Sequence, residues 1–284
     1  MIDLLEKTFE EKYCNKQPSL AQSLLEGISL EDDYKNILVL ILRPNYSVDY
    51  SNIEMFSIRG IDYIKNACTN FETKVVDFDL KDDVIEVIKQ NVNQKKYVLA
   101  FFSDTPLLTK KTVLEIVDYF LIKKLCSLKF NRGYMFETEY LKNQNKIYNP
   151  LEQNFFEEDF AKVCDSASFS HALNILKHRI ISYHQANGVL FLNPSSCFVD
   201  ALANIEKNVV IGENVKICGK SIIKEFSRLE NCKLNKVIAQ NGVEIENSIV
   251  ENSVLMQNSK VTDFSVIKNQ TINENEIVCN KTII

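Results

Sequence analysis

From about residue 198 the chain repeats itself every six residues, and few folds have that period. Aliphatic side chains recur at Ile205, Ile211, Ile217, Ile223 and Leu229, and after a two-residue slip at Val237, Val243, Ile249, Leu255, Val261 and Ile267. Six is neither the 3.6 of a helix nor the alternation of a lone strand. It fits a triangular prism in which three hexads make one turn and one aliphatic residue per hexad points inward. The comb then amounts to about four coils of a parallel β-helix. A corner turned in one or two residues favours side chains that tolerate the left-handed region. Asn208, Asn214, Asn252 and Asn258 lie three residues after a comb position, where corners belong. A stack of hairpins would need turn chemistry that is missing here. The segment has one Asn-Gly, at Asn241-Gly242, and no proline.

Residues 36–186 read differently. Asn36–Leu42 and Tyr97–Phe102 are short continuous apolar runs, as expected of strands covered on both faces, and Thr73–Phe78 is a third strand. Helical spacing falls between them at Ile58–Cys68 and Asp82–Val92. Thr109 is placed to cap a helix running to about Ile122. This β-α-β-α-β-α order predicts a mostly parallel sheet with helices on both faces. Ligands bind such sheets beyond the carboxyl ends of the strands, where Asp104 and the segment after Leu42 would lie. Residues 166–186 form a long amphipathic helix with Leu173, Leu176, Ile180 and Ile181 inward. It carries all three histidines, at spacings unsuited to a helix-borne metal pair, so they read as solvated or partly packed. Residues 2–30 read as two short apolar-faced helices that pack on their own domain or on a protein partner.

Composition removes several classes. The formal net charge of −5 argues against a nucleic-acid binder or a ligand of anionic membranes. The charged N-terminus has no apolar core of a signal peptide, and no run approaches the length of a membrane span. The eight cysteines are scattered without a C-x-x-C, which suits free thiols in a reducing cytoplasm. Only seven glycines occur, none close enough to another to make a phosphate loop.

Three segments resemble one family. Ala172–Ile180 is similar to its arm helix. Asn187-Gly-Val-Leu-Phe-Leu-Asn-Pro194 with Phe198-Val-Asp200 is similar to its entry into the β-helix. Phe102-Ser-Asp-Thr-Pro-Leu-Leu108 is similar to its G-D-x-P-L-[LI] segment. The family is the bacterial bifunctional N-acetylglucosamine-1-phosphate uridyltransferase/glucosamine-1-phosphate acetyltransferase, among the nucleotide-sugar pyrophosphorylases. The resemblance implies a Rossmann-like nucleotidyltransferase domain followed by a left-handed parallel β-helix. It divides the chain into a helical extension (1–33), the α/β domain (34–165), an arm helix and connector (166–197) and the β-helix (198–284). It also implies Mg²⁺ as cofactor if the chain is an active enzyme and no cofactor otherwise, a nucleotide or nucleotide sugar as ligand, and a homotrimer through the β-helix. Asp104 matches the metal aspartate, although it can equally be a polar residue that caps the Pro106 turn and the helix after it. Cys164 falls on the second metal ligand, with Asp165 beside it as a substitute. Asn131, Gly133 and Asn154 fall on sugar contacts. Arg43 and Lys110 are the cations placed for a nucleotide, with Lys35 and Lys111 as further candidates.

The chemistry departs from that pattern. After the first strand the chain reads Leu42-Arg-Pro-Asn-Tyr-Ser-Val48, with no glycine, where the family has a glycine-rich loop. Glu54 falls near the family's lysine and would repel a triphosphate. A thiol is a poor Mg²⁺ ligand. Three functional readings follow. Either the catalytic site is eroded and the protein binds, scaffolds or regulates, or it is a working nucleotidyltransferase making a UDP-sugar with a rebuilt loop, or it is a purely structural β-helix protein that uses its prism to trimerise. Acetyl transfer belongs to later coils of the family's β-helix and is not expected.

Overall fold

The computed structural model describes residues 31–46, 48–143 and 150–284. The helices expected over 2–30 lie outside the described residues. The chain divides into two compact units between Leu173 and Asn174, inside the long helix rather than at either of its ends.

The first unit holds a six-stranded sheet. Its strands are β1 (Ile37–Pro44), β2 (Glu72–Phe78), β3 (Tyr97–Phe102), β4 (Ser127–Phe130), β5 (Gly133–Glu137) and β6 (Leu151–Glu152), arranged β2-β1-β3-β5-β4-β6. β1 is parallel to both neighbours, with Ile41 opposite Val75 and Leu40 opposite Ala100. β5 runs antiparallel between β3 and β4. The helices α1 (Gly60–Ala67), α2 (Val84–Asn91) and α3 (Lys110–Ile122) connect the strands, and Thr109 caps α3 by accepting from Thr112 N.

The apolar run of β1 alternates between two cores. Ile37, Val39 and Ile41 pack with Ile61 and Ile64 of α1 and Val117 and Phe120 of α3. Leu38, Leu40 and Leu42 pack on the other face with Ile88 of α2 and Phe136 of β5. Each such side chain contributes roughly 1.5–3 kcal/mol on burial, which outweighs the modest propensities of these short elements.

The long helix α4 (Ser166–Ala186) spans the expected residues. Leu176, Ile180 and Ile181 are buried, and Leu173 is half-buried. His171 and His178 are exposed, but His184 is buried, with Tyr183 edge-on to its ring. The expectation that all three histidines are solvated or partly packed therefore fails at His184.

The second unit is the prism. Strands from Leu190 to Ile283 form three parallel sheets, each gaining one strand per coil. They make five complete coils and two sides of a sixth, against the four read from the comb. Coils vary in length: Ile217 pairs with Leu234 and Leu234 with Val250, steps of 17 and 16 residues. Some hexads are thus one residue short, and the comb loses phase after Leu229. The inward side chains there are Leu234, Ala239, Ile245 and Val250, while Ile249 points outward. Val237 and Val243 are buried, but they fill a second inward position two residues before each strand centre. Valine also holds that position at Val209 and Val215, and serine at Ser221, Ser227, Ser248, Ser253, Ser259 and Ser265, where its hydroxyl is satisfied within the wall. Ser253 Oγ donates to Glu251 O and accepts from Gln270 N on the next coil. Corners are left-handed, as the asparagines required: Asn208, Asn214, Asn252 and Asn258 have φ of 62°, 51°, 47° and 56°. Stacked corner asparagines also bond along the prism, Asn252 Nδ2 to Asn269 Oδ1 at 2.7 Å.

Candidate functional site

Three segments meet at the carboxyl edge of the sheet. The loop after β1 turns sharply, with Asn45 N bonded to Phe78 O and Tyr46 N to Pro44 O. The segment after β3 is pinned by Ser103 N to Leu42 O and by Thr105 Oγ1 to Phe102 O. The third is the turn between β4 and β5. Because β5 is antiparallel to β3, with Gly133 opposite Phe101, that turn lies beside Asp104.

Asp104 is at the centre, with its side chain 3% exposed. Arg132 closes on it as a fork: Nε donates to Oδ1 at 2.8 Å and Nη2 to Oδ2 at 2.5 Å. Tyr46 donates its hydroxyl to Oδ2 at 3.0 Å. The Arg132 guanidinium lies over the Phe102 ring, 4.6 Å from its centre. Burial opposes the Arg132 charge, but the bonds and charge of Asp104 outweigh it and raise the guanidinium pKa. Burial, then the Asp104 carboxylate, push the Tyr46 phenol up to about 12. Lys162 Nζ sits 5.6 Å from the Tyr46 ring centre.

Val163 N donates to Asp104 O at 2.8 Å, so the chain brings the segment 163–165 up to Asp104. The side chains there are otherwise engaged. Asp165 caps the start of α4, its Oδ1 accepting from Ser168 N and Ser168 Oγ, both at 2.7 Å. Those bonds, the backbone one foremost, hold its carboxyl below the usual carboxylate range. Cys164 is exposed, with Sγ 4.0 Å from Asp165 Oδ2.

The sugar-contact candidates divide. Both amide groups of Asn131 bond to the backbone of Phe155. Gly133 lies against β3, where a Cβ would come within 2.4 Å of Ala100 O and of the Phe130 ring. Asn154 is exposed. Of the nucleotide candidates, Arg43 forks onto Asp77, with Nε to Oδ1 at 2.5 Å and Nη2 to Oδ2 at 3.0 Å, and lies 4.0 Å from Asp49. Lys110 is the half-buried first residue of α3, and Lys111 pairs with Glu115 at 3.9 Å. Arg43, Asn45, Tyr46, Asn52 and the two aspartates line a cavity of about 270 Å³. A polyphosphate entering it would meet two carboxylates and one already paired guanidinium.

These donors do not fit Mg²⁺. Both oxygens of Asp104 face hydrogen-bond donors, Asp165 is a helix cap, and Cys164 offers sulfur to a cation that takes oxygen. Among the described residues no cluster of three or more His, Cys, Asp or Glu side chains could hold a metal. The residues that decide this, Arg132 and Tyr46, were not singled out in the sequence. The available signal was an arginine inside Asn131-Arg132-Gly133, on a turn that β5 must bring beside β3.

No family model matches the chain. It is similar to the protein named "Bifunctional protein GlmU" of Listeria monocytogenes, at 28% identity over 39% of this chain and 22% of that one. Against the protein of that name from Streptococcus agalactiae the identity is 34% over 31% of this chain and 19% of the relative. The matched stretch is thus about a fifth of these relatives' length. Among solved structures, a manganese complex of Rv0371C from Mycobacterium tuberculosis H37Rv matches at a TM-score of 0.37 and 8% identity, over 49% of this chain and 98% of that one. No described helix is long and apolar enough to cross a membrane.

Proposed function

We propose that this chain is a nucleotidyltransferase-like protein of the GlmU kind that does not transfer nucleotides and acts instead by binding or scaffolding. The observation that carries this reading is the fork of Arg132 on Asp104. Nucleotidyl transfer is mostly positioning and charge neutralisation of phosphates by metal and cationic groups. Here the carboxylate in the metal-aspartate position of the resemblance is already paired with Arg132, and Arg43, the cation at the carboxyl end of β1, is held by Asp77. One observation favours the rival, a working enzyme with a rebuilt loop. The cavity of about 270 Å³ lies at the carboxyl end of β1, where a nucleotide would enter such a sheet.

The deciding experiment is pyrophosphate release by the purified protein with Mg²⁺, each of the four NTPs and a panel of sugar 1-phosphates. The expected result is no release above a heat-killed control while an active relative run alongside turns over. Release that needs both substrates and disappears in Asp104→Ala overturns the proposal and establishes the rival.

A further inference from the structure

We infer that two copies of this chain pair through one wall of the prism, antiparallel, about a two-fold axis that passes through Ile238. The contact lies wholly in the second unit.

The three walls differ in what they turn outward. One is built of Asn204–Ile205, Ile222–Ile223, Ile238–Ala239, Val254–Leu255 and Thr271–Ile272, and the second residue of each pair is buried in the prism. Its outward column is therefore Asn204, Ile222, Ile238, Val254 and Thr271, stacked in register. No charge interrupts that column. The matching columns of the other walls carry Arg228, Glu244 and Lys260 on one and Lys216 and Lys233 on the other. Several of the charges there pair within their own wall: Lys260 with Glu244 at 2.8 Å, and Lys233 and Lys268 with Glu251 at 3.6 and 3.1 Å. Two more apolar side chains edge the uncharged wall, Met256 at 39% exposed and Phe226 at 64%. Phe226 turns its corner at φ 63°. An exposed ring in so strained a corner gains little from its own chain, and a partner's surface would bury it.

The column reads alike from either end: polar, three aliphatics, polar. A two-fold axis along the strand of Ile238 sets that residue on its own copy and Ile222 on Val254 of the partner subunit. It also brings Phe226 to Met256 of the partner subunit. Charge selects this order over a parallel one. Residues 207–236 carry seven cations and three carboxylates, and residues 237–276 two cations and six carboxylates. Parallel copies would set like ends together, whereas antiparallel copies set each basic half on an acidic one. At the rim, Lys207 and Glu274 stand in the first and last corners along this wall, each just before a left-handed asparagine, Asn208 and Asn275. The axis sets Lys207 against Glu274 of the partner subunit. A ring of three would instead join two different faces and press this wall on a charged one, whose desolvation is costly. The five strands, about 4.8 Å apart with about six residues of ~3.3 Å each, give a face of roughly 24 by 20 Å. Two such faces bury on the order of 1,000 Å², at the low end for specific interfaces, so the dimer is reversible.

The test is the mass of the full chain by analytical ultracentrifugation, over a dilution series at low and high salt. The unaltered chain is expected to be a dimer that dissociates on dilution, and sooner at high salt. Ile238→Lys puts two like charges on the axis and is expected to be a monomer throughout, with unchanged circular dichroism. Ile249→Lys, on a charged wall, is expected to remain a dimer. Lys207→Glu is expected to raise the dissociation constant about tenfold or more, because two like-charge contacts replace two pairs. Adding Glu274→Lys to Lys207→Glu should restore the dimer, a rescue that parallel copies cannot give. Should Ile238→Lys not fold, the swap at Lys207, whose side chain is 65% exposed, carries the test. A monomer at every concentration, a trimer, a dimer that survives Ile238→Lys, or a loss in Lys207→Glu that Glu274→Lys does not restore overturns the proposal.

Discussion

The carboxamide of Asn131 bonds to the backbone of Phe155 twice, Oδ1 accepting from Phe155 N at 2.7 Å and Nδ2 donating to Phe155 O at 3.3 Å. A residue in the family's sugar-contact position is here a staple holding the segment 153–156 against the sheet. It fixes the Phe155 ring edge-on to Tyr119 and Phe130. Asn131→Ala removes both bonds and strands two backbone groups in a half-buried place. The expected loss is about 1–2 kcal/mol in denaturant unfolding, against about 0.5 kcal/mol or less for the exposed Asn154→Ala. Equal, negligible losses from the two would show that the staple carries no stability.

Tyr46 should be among the last tyrosines to ionise. Burial and the neighbouring Asp104 push its phenol up to about 12, from an ordinary value of 10. The sign follows from proton linkage. The folded state holds this proton more tightly than the unfolded chain does. The stability tied to it is therefore complete below pH 10 and is lost as the pH rises through about 12. Alkaline titration of tyrosinate absorbance should lose a step near pH 12 in Tyr46→Phe, and that step should move earlier in Asp104→Asn, while the still later ionisation of Tyr34, buried against Asp118, remains. A titration unchanged by Tyr46→Phe would mean that the phenol is not held by Asp104.

Ile249 and Val250 should differ sharply in their response to truncation. Val250 fills the prism, whereas Ile249 is 39% exposed on the same strand. Val250→Ala is expected to cost about 2 kcal/mol, because the rigid neighbours cannot close the space. Ile249→Ser should stay within about 0.5 kcal/mol. Thermal melts of the two variants decide it, and a larger loss at Ile249 would reverse the assigned register.

That pair also marks where the sequence stopped being legible. The comb is correct at Ile205 through Leu229 and again at Leu255, Val261 and Ile267. It fails between them because the prism buries two positions per hexad, and valine fits both. Val237 and Val243 kept a six-residue rhythm by occupying the second position while the coils shortened. Periodicity reports burial, not which wall a residue lines. In the α/β unit, β1, β2 and β3 and helices α1 to α3 were readable because their apolar runs and the Thr109 cap are local signals. The fork at Asp104 was not readable. It depends on an antiparallel strand inserted beside β3, a pairing of residues 28 positions apart that no local signal encodes.

Phe264 should be a site where the protein gains stability. It turns a prism corner at φ 60°, next to Asp263 at φ 53°, and its side chain is 76% exposed. A bulky L-residue in the left-handed region costs roughly 1–2 kcal/mol, and so exposed a ring recovers little by burial. Phe264→Gly removes the clash of Cβ with its own backbone and is expected to gain about 1 kcal/mol, less the entropy a glycine adds to the unfolded chain. Gly242→Ala is the converse. Gly242 sits at φ 71°, and a Cβ there would lie 2.4 Å from Asn258 Oδ1 of the stacked corner. That change should cost about 1–3 kcal/mol. Melting temperatures of the two variants should move in opposite directions, by about 2–4 °C per kcal/mol. A fall for Phe264→Gly would mean that the exposed ring is held by a contact worth more than its backbone strain, and the corner would then have to be treated as an interaction surface.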